Sequence, residues 1–135
     1  MQSPTQAAPA SKKSLWAGRL ISALAILFLL FDSTGKLLQP APVVEGTVQL
    51  GYPASAILGI GIVELACLAL YVIPRTSIFG AILLTGFLGG AVATHVRIGN
   101  PLFSHILFPV YIAVLLWGGL VLLDGRLRTL VPLRS

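Results

Sequence analysis

Residues 53–73 read PASAILGIGIVELACLALYVI, and this stretch holds a single charged side chain, Glu64, near its centre. A hydrocarbon layer about 30 Å thick is crossed by roughly 20 helical residues, so the stretch has the length of one membrane-spanning helix. Proline is tolerated in the first helical turn and stops a helix elsewhere, which suits Pro53 at its start and Pro74-Arg75 at its end. Working outward, residues 77–96 and 101–123 form two further apolar pieces of similar length, and residues 15–38 a fourth. From Leu37 to Leu123 the only formally charged side chains are Glu45, Glu64, Arg75 and Arg97. Lipid offers backbone groups no water, so only helices and closed barrels span it, and these pieces are too long and too weakly alternating for barrel strands. The sequence predicts an all-α polytopic membrane protein, a four-helix transmembrane bundle within residues 15–125.

Composition points the same way. The 135 residues are 56% hydrophobic and 10% charged, with a mean hydropathy of +0.95. A soluble domain has about a quarter of its residues charged, so the side chains needed to coat a water-facing surface are missing. The net charge of +5 therefore argues for a lipid bilayer as the principal partner and against nucleic acid. One cysteine, Cys67, excludes an internal disulfide, a C-x-x-C pair and a cysteine-rich zinc site. With no Gly-rich nucleotide loop and no iron–sulfur cysteines, the chain is not expected to be catalytic alone, and no cofactor is certain.

Asn100-Pro101 suits the opening of the fourth helix, with Asn as its cap. The short turn at Pro74-Arg75 makes the second and third helices antiparallel neighbours. Pro109 falls inside the fourth helix, where it leaves the His105 carbonyl without its helical donor and predicts a kink over residues 105–109. Short cytoplasmic loops are enriched in Lys and Arg. Lys12, Lys13, Arg19, Arg75, Arg126, Arg128 and Arg134 share one end of the bundle, against Lys36 and Arg97 at the other. Both termini are therefore expected in the cytoplasm of a bacterial cell, with the first helix a retained signal anchor. Residues 1–14 read as a disordered cytoplasmic segment and 126–135 as a basic tail. The long loop 39–52 faces outward, either as an amphipathic helix at the interface or as an ordered coil.

Chemistry is sought among ionisable groups at membrane depth, which are costly and usually face a bundle interior or cavity. Asp32 and Lys36 stand at i, i+4 spacing near the end of the first helix, on one face and placed for an ion pair. Glu64 is the deepest, and a carboxylate there must be paired, protonated or hydrated; its candidate partners are Lys36, His95 and Arg97. His95 and Arg97 end the third helix, and His105 begins the fourth. One outward-opening polar pocket would hold most of these groups. Asp32, Lys36 and Arg97 read equally well as headgroup-level residues, and His95 and His105 as interface hydrogen-bonding groups. No histidine pair has metal-site spacing. On the third helix Gly86, Gly90 and Ala93 share one face, a pattern read as helix packing within the bundle, with dimerisation as the alternative. Trp16, Tyr52, Tyr71 and Trp117 read as belt and packing residues.

Several short runs together resemble the DoxX-like family of small membrane proteins. They are Ser33-Thr34-Gly35-Lys36, Gly51-Tyr52-Pro53, Leu58-Gly59-Ile60-Gly61-Ile62-Val63-Glu64-Leu65, Gly89-Gly90-Ala91-Val92-Ala93-Thr94-His95 and Phe108-Pro109, continuing to the Trp117 region. The resemblance covers nearly the whole chain after Trp16. It implies a four-helix membrane bundle and marks Lys36, Glu64 and His95 as the positions of the family's characteristic polar residues. The family takes its name from a subunit associated with a thiosulfate:quinone oxidoreductase, and related proteins are linked to oxidative-stress complexes. One expectation is therefore a membrane subunit of a quinone-linked oxidoreductase, with a redox partner in the membrane and Lys36, Glu64 and His95 around a quinone head or a proton path. The other is a non-catalytic assembly or stabilising subunit, alone or as a homo-oligomer. Solute transport is weaker, since four helices without an inverted repeat would have to oligomerise.

Overall fold

The computed structural model describes residues 11–130, and side chains as far as Leu127. Most of the segment expected to be disordered, and the C-terminal part of the basic tail including Arg134, lie outside the described residues. Six α-helices follow in order: α1 (Lys12–Leu38), α2 (Ala41–Gln49), α3 (Ile57–Val72), α4 (Ser77–Arg97), α5 (Phe108–Leu123) and α6 (Gly125–Leu130). Four spans, Lys12–Leu38, Ala54–Val72, Ser77–Arg97 and Leu102–Leu123, are long and apolar enough to cross a membrane. α1 packs against α3 and α5, and α4 closes the ring between α3 and α5. The outward-facing side chains are apolar, Trp16, Leu27, Phe31 and Phe103 among them. A helix apolar all round is at home in lipid.

The helix ends follow from local chemistry. Ser11 caps α1 by accepting from the Ser14 amide at 3.1 Å, so the helix starts at Lys12, ahead of the expected 15. It stops where Gln39 turns left-handed, at φ 53°, ahead of Pro40. The loop 39–52 contains the helical option, because Pro42 sits in the first turn of α2, where its missing amide hydrogen costs nothing. Between α3 and α4 the hydroxyls of Thr76 and Ser77 donate to the carbonyls of Leu70 and Tyr71, both at 2.7 Å. They satisfy acceptors that a helix end leaves open. Beyond α5, the first part of the basic tail forms α6, whose Leu127 is buried.

The fourth span departs from the expected kinked helix. Leu102–Ile106 form one π-helical turn, capped by Leu107, and α5 starts afresh at Phe108. Pro109 thus occupies the first turn of a new helix, where it breaks nothing. Asn100 does not cap this span; its side chain goes to His95.

The half of the bundle nearer the termini is tightly packed. Ala25, Leu84 and Leu116 are fully buried there, in the same core cluster as Tyr71, which forms a polar knot. Tyr71 Oη donates to the Leu116 carbonyl at 2.8 Å and accepts from Ser22 Oγ at 3.1 Å, which ties α1, α3 and α5 together. The glycines that let these helices approach are Gly18, Gly61, Gly80 and Gly119, where an added Cβ would collide with a neighbouring helix. Gly86 and Gly90 were expected to do this, and they do not. A Cβ at either meets nothing within 4 Å, because the bundle is hollow beside this part of α4 and both residues line the hollow.

Candidate functional site

The hollow is a cavity of about 920 Å³ in the half of the bundle away from the termini. It is walled by α1, α3, α4 and α5 and covered by α2 through Val43 and Thr47. Its size lies within the range of small-molecule sites, commonly about 300–1,000 Å³.

The cavity wall carries an ionic triad. Asp32 and Lys36 lie one turn apart on α1, and the Lys36 ammonium donates to Asp32 Oδ2 and, across the bundle, to Glu64 Oε2 at 2.7 Å. Asp32 is 39% exposed, Lys36 17% and Glu64 fully buried. The crossing from α1 to α3 is close at this point because residue 61 is glycine. A Cβ there would stand 2.8 Å from Lys36 Cβ and 3.4 Å from the Ser33 carbonyl. The Lys36 Nζ also lies 5.6 Å from the centroid of the Phe87 ring, within cation–π range. Three ammonium hydrogens face four carboxylate oxygens, so the triad is rich in acceptors. Glu64 Oε1 is the buried atom left without a donor among the described residues.

A second polar group stands nearer the α2 end. Asn100 Nδ2 lies 2.6 Å from His95 Nδ1, and with the amide donating, the other ring nitrogen of His95 is left to donate. The rings of His95 and His105 meet edge to face with centroids 5.8 Å apart, and His105 Nδ1 is 2.7 Å from Ser104 Oγ. Thr94 Oγ1 donates to the Gly90 carbonyl, so the 2.8 Å contact with Tyr52 uses the tyrosine proton. Both groups of residues line the same cavity, together with Phe28, Phe87 and Phe108. Among the described residues no three His, Cys, Asp or Glu side chains are grouped to hold a metal ion.

The sequence candidates therefore divide. Asp32, Lys36 and Glu64 are in direct contact, while His95 and His105 line the same cavity without contacting the triad. Arg97 is not a partner of Glu64. Its guanidinium donates to the Leu50 carbonyl at 2.9 Å and packs over Gly51, whose φ of 96° only glycine adopts readily, so it secures the end of α2. Tyr52 and Tyr71 have bonding roles beyond a belt. Sequence reasoning missed Tyr52, Thr94 and Asn100 as wall residues. It also missed Gly61, whose position one turn before Glu64 was the available signal.

The family model described as the DoxX-like family matches residues 20–119, and the chain belongs to that family. No curated protein and no solved structure matches the chain.

Proposed function

We propose that this member of the DoxX-like family is a membrane subunit of a quinone-linked oxidoreductase whose cavity receives a quinone head. The observation that carries the reading is the cavity itself, whose wall combines aromatic side chains, a triad with an unsatisfied acceptor on its buried member Glu64, and a histidine whose second ring nitrogen can donate. A ring with polar groups at opposite edges suits such a wall, and a lipophilic ligand enters from the bilayer. Glu64 and Lys36 hold one edge of the head and His95 donates to the other. In this reading the electrons are supplied by a partner chain. Extraction from native membranes in polymer discs, followed by mass spectrometry of lipids and copurifying chains, tests the reading. A quinone near one per chain is expected, and bulk phospholipid alone would refute it.

A second reading is favoured by the bonding of Lys36 to carboxylates of both α1 and α3. The triad would then only tie α1 to α3 in a non-catalytic assembly subunit. In that case the cavity holds no quinone and copurifying chains are the only specific partners.

The same proposal places the protein in a bacterial cytoplasmic membrane with both termini cytoplasmic. Lys12, Lys13, Arg19 and Arg75 are exposed at the terminal end, whereas the α2 end carries Arg97 and Lys36, the latter paired with two carboxylates. Basic side chains are thus more numerous at the terminal end, as the positive-inside rule requires of cytoplasmic ends. Reporters fused after Ser135 and inserted at Glu45 are expected to give opposite results, and the same result from both would overturn this topology.

A further inference from the structure

We infer that the cavity selects a lipophilic aromatic ligand whose head donates a hydrogen bond, so that a hydroquinone-type hydroxyl binds in preference to a ring that only accepts. This rests on the reading of the cavity as a quinone-class site and adds the preferred form of its ligand. Lys36 donates to one oxygen of each carboxylate, and of the two oxygens it leaves, Glu64 Oε1 is fully buried with no protein donor among the described residues. An unpaired buried acceptor is among the costlier defects a fold can carry. A quinone carbonyl adds another acceptor to this wall, whereas a hydroxyl supplies the missing donor. Asp32, the exposed member of the triad, is the oxygen-bearing group that an incoming head meets first, with Glu64 behind it. Tyr52 strengthens the bias, because its proton is committed to Thr94 and it can only accept. Phe87, already against the Lys36 ammonium, supplies an aromatic wall at the same place.

Sites built to hydrogen-bond a hydroxyl discriminate strongly against analogues that lack it, since the site's own polar groups are then stranded. The test uses the full chain in lipid nanodiscs, kept anaerobic, with three probes sharing one ring and one short tail: the hydroquinone, its dimethyl ether and the quinone. The hydroquinone is expected to bind at least about 10-fold tighter than either of the others. Asp32→Asn and Glu64→Gln combined with Lys36→Met, which bring amide donors to the wall and leave no charge unpaired, should shrink that ratio toward one in a chain that still melts cooperatively. Equal binding of the three probes by the wild-type chain would overturn the donor preference and leave the quinone site standing. Saturable binding of none of them would overturn the quinone site and the preference with it.

Discussion

Lys36→Met is expected to destabilise the bundle by about 3–5 kcal/mol, the usual cost of removing one member of a buried charge cluster. The methionine matches the lysine stem in volume, so packing beside Gly61 is kept and the loss is electrostatic. Asp32 and Glu64 are then two carboxylates in one low-dielectric hollow without a cation. The triple variant Asp32→Leu, Lys36→Met, Glu64→Leu should recover most of the loss, because replacing a whole buried cluster by apolar side chains is often neutral. Unfolding in mixed micelles, followed through Trp16 and Trp117, measures both. A single variant costing less than about 1 kcal/mol would mean that the triad contributes nothing to the fold and that both carboxylates are served by water.

The second large effect separates the glycines. At Gly80 a methyl group would collide with the Tyr71 backbone, which cannot move aside as a flexible side chain can. Gly80→Ala is therefore expected to cost about 1–3 kcal/mol or more through overpacking, and to disturb the Tyr71 bond to Leu116 by shifting α3. Gly86→Ala adds a methyl group to open space and should leave stability unchanged or raise it slightly, since alanine favours helix. Melting temperatures of the two variants decide the matter. An equal loss at both positions would show that α4 packs through Gly86 against a surface outside this chain.

The two glycine positions also show how far the sequence was legible. Helix number and span follow from hydropathy and punctuation, because lipid enforces length and closed hydrogen bonding on each segment. Glu64 was legible for the same reason, since a carboxylate at that depth requires a partner, and the i, i+4 spacing of Asp32 and Lys36 supplied one. Which face of α4 is packed and which is hollow was not legible. A Gly-x-x-x-Gly pattern reads alike whether a neighbouring helix fills the groove or a cavity does, and only the position of α1 and α5 decides between them. Arg97 illustrates the same limit. Its place near the α2 end was read from the chain, but its bond to the Leu50 carbonyl depends on the left-handed turn at Gly51. Pro109 could not be placed either, because the π turn before it resets the helix start.

The central claim, that the hollow beside Gly90 is a ligand site with the triad in its wall, is tested most directly by filling it. Gly90→Leu adds a side chain where nothing lies within 4 Å, so the fold should keep its melting temperature while the cavity loses volume. The measurement is the equilibrium binding of a short-chain hydroquinone to the wild-type and Gly90→Leu chains in the same nanodiscs. Saturable binding by the wild type, weakened at least about 10-fold in the variant at unchanged melting temperature, is the predicted result. Identical uptake by both chains, rising linearly as simple partition into lipid, would contradict it.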